Sequence, residues 1–296
     1  GDLFTPRQLV ALTTFSDLVG EAIERCRQDA LAAGLPDDGV GLDAGGTGAT
    51  AYAQAVGVYL AFALSKQADL GNSLCRWESI AQCPRQLFGR QAIPMVWDFA
   101  EGNPLGSSSG AWIVFIDGIV KAFAKAFELV PSSASGQAQQ ADAGTQNVSA
   151  DKIVSTDPPY YDNIGYAALS DFFYVWLRRT IGDLYPDLFS TVLVPKSQEL
   201  TASPERFGGD KQEAKKHFET GFRKAFAALR EKMNPEFPLT VYYAFKQDDE
   251  ESGGDEESEG NSSNGKVDLT TGWETMLEAL VGTGFRITAT WPGRAS

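Results

Sequence analysis

From residue 152 onward, short β-prone runs alternate with helical stretches, and this alternation restricts the fold more than any other feature of the chain. A β-prone run at 152–156 precedes a helical, heavily aromatic stretch at 169–179 and a brief apolar run at 191–194. An amphipathic helix follows over 211–233, carrying Phe218, Phe222, Phe226 and Leu229 at helical spacing. Residues 239–245 (Leu-Thr-Val-Tyr-Tyr-Ala-Phe) read as a strong strand, 273–281 as a helix and 285–291 as a final strand. Strand, helix, strand, helix, strand is the pattern of a parallel, layered α/β sheet.

Upstream the periodicity is helical. Thr5 before Pro6 is a cap and first-turn signature, and Leu9, Leu12, Phe15, Leu18, Val19 and Ile23 follow at helical spacing until Gly34 and Pro36 end the run. Gly45-Gly46-Thr47-Gly48 opens a second apolar stretch over 49–70, and a third covers 112–129. Residues 80–110 are loop-rich. The expected organisation is a helical region at 1–130, a Ser/Ala/Gln/Gly linker at 131–150 and an α/β half at 151–296. Within that half, 247–266 is an acidic, solvated loop. The chain opens on Gly1 and stops at Trp-Pro-Gly-Arg-Ala-Ser, so it reads as an internal piece of a longer protein.

Composition narrows the function. The net charge is −14, which at face value disfavours a nucleic-acid partner. Eight of the acidic side chains fall between Asp248 and Glu259, however, and without them the net charge is −6, compatible with a local basic groove. The longest apolar run, 56–64, is too short to cross a bilayer, so no membrane association is expected. Three cysteines exclude a disulfide scaffold and suit a reducing, cytoplasmic setting. With His217 the one histidine, a four-ligand zinc site would need every Cys and His in the chain or carboxylates, and no metal is expected.

Chemistry concentrates in Asp157-Pro158-Pro159-Tyr160, directly after a predicted strand, where open α/β sheets bind ligands. The string suits transfer of a group to an exocyclic amine, a weak nucleophile because its lone pair is delocalised into the ring. A carboxylate and a backbone carbonyl can accept the two N–H bonds and draw the nitrogen toward a tetrahedral geometry. Two prolines restrict the backbone and remove competing donors. The tyrosine offers a face on which an extruded base can stack, worth roughly 1–3 kcal/mol. Alternatively, Pro158 and Pro159 simply terminate a strand.

Ser155-Thr-Asp-Pro-Pro-Tyr-Tyr-Asp-Asn-Ile-Gly-Tyr166, continuing into Leu169-Ser-Asp-Phe-Phe-Tyr-Val-Trp-Leu-Arg-Arg179, resembles the large bacterial and archaeal adenine-specific DNA methylases with an N-terminal DUF1156 region. Leu3-Phe-Thr-Pro-Arg-Gln-Leu-Val-Ala-Leu-Thr-Thr-Phe15 and Phe88-Gly-Arg-Gln-Ala-Ile-Pro-Met-Val-Trp-Asp-Phe-Ala-Glu101 are also similar to that family. So are Val241-Tyr-Tyr-Ala-Phe-Lys246 and Thr288-Ala-Thr-Trp-Pro292. The resemblance implies a partial Rossmann-like methyltransferase sheet preceded by a helical region. It also implies S-adenosylmethionine-dependent methylation of the adenine amino group in DNA. Asp157 and the Pro158 carbonyl would hold the amine, with Pro159 fixing the turn and Tyr160 stacking on the base. In such proteins the cofactor-binding strand and its Gly-containing turn lie upstream, so an upstream portion of the same polypeptide is an expected partner.

Other residues carry weaker expectations. Tyr161, Asn163, Arg178, Arg179, Lys196 and Lys246 are candidate base or DNA contacts, although Arg178 and Arg179 also suit a helix C-terminus for dipole reasons. Leu42-Asp-Ala-Gly-Gly-Thr-Gly-Ala49 looks like a cofactor loop, but no apolar strand leads into it, and it reads better as a loop capped by Thr47. His217 reads as structural. The helical region is a candidate target-recognition segment. The open alternatives are methylation of a cytosine amine or an RNA base, and a non-catalytic helical module that binds protein partners.

Overall fold

The computed structural model describes residues 3–90, 92–129, 136–161, 164–243 and 269–291. Among them the chain forms six α-helices and two small two-stranded sheets, a mixed architecture dominated by helix. It divides into two compact units, one comprising 1–137 with 166–197 and the other 138–165 with 198–296.

The first unit is helical. Helix α1 (Pro6–Ala32) starts at the expected cap: Thr5 accepts from the Gln8 backbone N–H, and the Gln8 side chain accepts from the Thr5 N–H at 2.8 Å, a complete capping box. It ends where Gly34 takes φ +92°, with the Leu35 N–H donating to the Ala30 carbonyl. Helix α2 (Ala49–Leu70) lies against α1 so closely that a Cβ on Gly57 would overlap Ile23. An antiparallel pair, β1 (Trp77–Glu78) and β2 (Cys83–Pro84), turns within the loop-rich stretch. Helix α3 (Trp112–Leu129) then packs on α2.

Leu12, Leu64, Ala68, Leu87, Phe172 and Trp176 make the main core of this unit. The last two belong to the helix over 166–181, which also joins α1 through a 2.9 Å bond between Ser16 and Thr180. The sequence pattern groups 166–197 with the α/β half. The structure places them in the helical unit, because the apolar stripe through Phe172 and Trp176 is covered by α1 and α2.

The second unit holds β3 (Ser155–Thr156), from whose end the chain passes into the first unit as α4 (Tyr166–Ile181) and returns at 198. After a short 3₁₀ turn (Pro204–Phe207), helix α5 (Lys211–Lys232) is capped by Asp210, which accepts from the Gln212 and Glu213 N–H groups. The chain then enters β4 (Thr240–Val241), parallel to β3 with Ser155 opposite Thr240 and Thr156 opposite Val241. Helix α6 (Leu269–Gly282) follows, and 283–291 end the described part of the unit. Phe218, Phe222 and Phe226 of α5 meet Met276, Ala279 and Leu280 of α6 in one core. Burying each phenylalanine stabilises the unit by about 1.5–3 kcal/mol.

A parallel strand–helix–strand arrangement is therefore present, but smaller than the hydrophobic pattern suggests. The runs at 152–156 and 239–243 pair over two residues each. Residues 285–291 are not a strand: Phe285 closes α6 against the core, its N–H bonding the Leu280 carbonyl after Gly284 at φ +91°, and 286–291 run exposed. Residues 191–194 form no strand either, the Val194 N–H being held by the Asp171 carboxylate at 2.9 Å. A strand needs a neighbouring edge for its backbone groups as well as a suitable side-chain pattern. The expected linker also differs. Its described part, 136–150, ends in turns that seat on α5, with the Asp151 N–H donating to the Lys232 carbonyl at 3.0 Å and Ser149 buried. The acidic run at 247–266 lies outside the described residues. No helix among the described residues is long and apolar enough to cross a membrane.

Candidate functional site

Parallel pairing fixes where the Asp-Pro-Pro-Tyr string sits. The Thr240 N–H donates to the Val154 carbonyl at 3.1 Å and the Tyr242 N–H to the Thr156 carbonyl at 2.8 Å, so both chains leave the ladder at the same, carboxyl end. Asp157 to Tyr160 follow β3 directly, and Tyr242 and Tyr243 follow β4. In open α/β sheets that end carries ligand sites, because the loops there leave the ladder side by side.

Asp157 is exposed, and no described residue pairs with its carboxylate. Pro158, Pro159 and Tyr160 are half-buried. The ring of Tyr160 meets Tyr243 edge to face at 5.7 Å and 88°. Tyr243 in turn lies 6.2 Å from Trp273 of α6, giving a short aromatic row beside the turn. Tyr161 faces the other way. Its ring meets Phe218 at 5.0 Å, its carbonyl accepts from the Ala202 N–H at 2.7 Å, and a Cβ on Gly272 would come within 2.9 Å of its own Cβ. Tyr161 thus anchors the turn to the α5 core and leaves Tyr160 as the ring at its outer side.

Tyr243 is a site residue that the sequence reading does not include. The signal was available in principle: a Tyr-Tyr pair just past a predicted strand lies at the same end of a parallel sheet as the turn after the preceding strand.

The remaining candidates are scattered or already engaged. Arg178, Arg179 and Lys196 belong to the first unit. The Arg178 Nε donates to the Phe189 carbonyl at 3.1 Å, Arg179 pairs with Asp17 at 2.7 Å, and Lys196 pairs with Asp171 at 2.6 Å. Asn163 and Lys246 lie outside the described residues. His217 bonds the Glu199 carbonyl at 3.0 Å and packs on Phe207, a structural placement.

The Gly-rich loop before α2 is bonded to itself. The Gly46 N–H donates to the Gly41 carbonyl, the Ala49 N–H to the Pro36 carbonyl, the Thr47 N–H to Asp38 and the Thr50 N–H to Asp37. These bonds hold the Asp37 and Asp38 carboxyls below their ordinary range, chiefly through Thr50 for Asp37 and Thr47 for Asp38. The helix N-cap is Gly48 and makes no side-chain bond, so Thr47 is not the cap: Asp37, reaching Thr50 from across the loop, does that work. With its amides engaged and two carboxylates present, the loop offers no cradle for an anionic group. No strand precedes this loop, and among the described residues no Gly-rich turn follows a strand, so the described residues show no fitted place for S-adenosylmethionine.

Burial pushes the Cys75 thiol up to about 11, which leaves it protonated and inert at neutral pH. Among the described residues no group of three or more His, Cys, Asp and Glu could hold a metal ion. No protein-family model matches the chain, and neither the search of curated proteins nor that of solved structures gives a significant match.

Proposed function

We propose that this chain is the base-accepting part of a cytoplasmic adenine-amino DNA methyltransferase built on a Rossmann-like sheet, of which β3 and β4 are two strands. One observation carries the reading: an exposed carboxylate with no partner among the described residues follows a strand at the carboxyl end of a parallel pair, next to two prolines and a tyrosine whose neighbouring ring comes from the adjacent strand end. An extruded adenine would lay its ring on Tyr160, with Tyr243 buttressing that ring from its edge. The Asp157 carboxylate and the Pro158 carbonyl would each accept one N–H of the amine. This pulls the nitrogen lone pair out of conjugation with the ring, the change that makes such an amine nucleophilic. Pro159 keeps the turn rigid, so the acceptors are in place before the base arrives.

The methyl donor that the sequence resemblance implies is S-adenosylmethionine. The described residues do not fit it, so the proposal places the donor half in an upstream portion of the same polypeptide. Calorimetry on the 296 residues alone is expected to show weak or no S-adenosylmethionine binding. Tight stoichiometric binding would refute the division into halves. Arg178, Arg179 and Lys196 remain candidate phosphate contacts, since a phosphate can displace a carboxylate from an exposed ion pair such as Arg179 with Asp17.

The full-length polypeptide, supplied with labelled S-adenosylmethionine, is expected to label the adenine amino group of duplex DNA. Labelling of RNA or of cytosine instead would keep the amine chemistry and change the acceptor. A second reading, a non-catalytic interaction module, draws on the exposed aromatic face of Tyr59, Phe62, Phe123 and Phe127. It predicts no methyl transfer to any nucleic acid.

A further inference from the structure

Within the helical unit, α2 and α3 run antiparallel. The last turn of α2 reaches the entry to α3, where Gln67 donates to the Gly110 carbonyl at 3.1 Å, and Tyr59 in the middle of α2 meets Phe123 in the second half of α3. One side of this pair is apolar and open to solvent.

On α2, Tyr52, Tyr59 and Phe62 follow one another at seven and three residues, along a single stripe. On α3, Val120, Phe123 and Phe127 do the same, and Ile113 continues that stripe two turns earlier. The rings join the two stripes into one face: Phe62 meets Tyr59 at 6.2 Å, Tyr59 meets Phe123 at 5.3 Å, and Phe123 meets Phe127 at 4.5 Å. These seven side chains are between 40% and 66% exposed. An aromatic side chain carries about 150–250 Å², so the face offers roughly 700 Å² of apolar surface. A patch above about 600 Å² is unusual on a monomer and marks a contact surface.

Three features select a second copy of the chain as the partner. Each side of a standard stable interface contributes about 600–1,000 Å², so two copies of this face reach the size that a dimer needs. The face is rich in aromatic rings and free of charge at its centre, because Lys121 and Lys125 fall on the opposite side of α3 from Phe123. Lys66 and Asp117, exposed at its margin, carry opposite signs, so a self-paired face has no rim of like charge. Two antiparallel helices packed on their own copy about a two-fold axis also form a four-helix arrangement, in which the whole face is used on both sides.

We propose that the chain forms a symmetric homodimer through this α2–α3 face. The pairing depends on the helical unit alone and holds under either reading of the function.

Sedimentation equilibrium of the 296-residue chain is expected to show a reversible, concentration-dependent approach to twice the single-chain mass. Each copy carries a net charge of −14, so raising the salt should screen the repulsion and strengthen the association. Combining Phe123→Ser with Phe127→Ser should weaken the dimer at least tenfold. Val114→Ser should leave it unchanged, because Val114 lies two and a half turns before Phe123 and therefore on the far side of α3. Should the double variant fail to fold, Tyr52→Lys, which puts a charge on an exposed position of the face, decides in its place. A single-chain mass at every concentration, growth into open-ended polymers, a dimer that the face variants leave intact, or one that salt dissolves would overturn the proposal. A chain that stays single in solution but floats with phosphatidylcholine vesicles would also overturn it and make a lipid surface the occupant.

Discussion

Two loops rich in aspartate, proline and glycine look alike in the sequence and behave differently in the structure. In the loop of 35–48, Asp37 and Asp38 accept bonds from Thr47, Thr50 and their own neighbours, and the backbone amides close on carbonyls of the same loop. In the turn after β3, Asp157 is exposed with no described partner, while Tyr161 and the strand pairing hold the backbone around it. Polar residues in the first loop stabilise the helix that follows. The carboxylate in the second is exposed with no described protein partner, which leaves it available to a ligand as the proposed function requires. The lesson is that a loop's chemistry depends on which of its polar groups folding has already used.

Substitutions at the two loops should separate these roles. In the full-length polypeptide, Asp157→Ala is expected to lower methyl transfer on the order of 10²–10³-fold, as for loss of one group aimed at a reacting centre. Its thermal midpoint should stay near that of the parent. Asp37→Ala should do the reverse, lowering the midpoint with turnover unchanged at a permissive temperature. Near-normal transfer by Asp157→Ala would remove the contrast altogether.

The same comparison extends to two helices. The apolar stripe of α5 is buried by α6, whereas α3, the more apolar of the two, leaves Val120, Phe123 and Phe127 exposed. Phe222→Ala on α5 is expected to cost about 3–5 kcal/mol of stability, measured by denaturant titration. Phe127→Ser on α3, measured at a dilution where the chain is a single copy, should change it by no more than about 0.5 kcal/mol. A large loss at that dilution would show that α3 is covered within one chain.

A smaller effect concerns acid. The Asp37 and Asp38 carboxyls are held below their unfolded values, so their contribution is present above the unfolded carboxylate range and fades as pH falls through the lowered folded values. Asp69 has the opposite sign: burial raises its carboxyl despite the bond from the Phe88 N–H, so ionising it as pH rises from acid opposes folding. Stability followed between about pH 2 and 6 should therefore lose part of its acid-side decline in Asp37→Asn, while Asp69→Asn loses a counteracting component.

Much of the helical unit could be read in advance. The cap at Thr5, the stop at Gly34 and the extents of α2 and α3 are local matters, settled by cap chemistry, backbone freedom and periodicity within a few residues. The position of Asp157 directly after a strand was legible for the same reason. The length of the sheet was not, because 285–291 carries a strand-like pattern yet has no pairing edge among the described residues.

The sequence by itself determined where helices begin and end and which turn carries a carboxylate between a strand and two prolines, since those outcomes depend on neighbours in the chain. Only the tertiary structure decided that 166–197 packs with the first helices, that Tyr243 stands beside Tyr160, and that Tyr59 and Phe123 share one exposed face. Each of these joins residues distant in the chain, and which distant surfaces meet is set by the joint packing of all the apolar faces, a property that no single stretch of sequence contains.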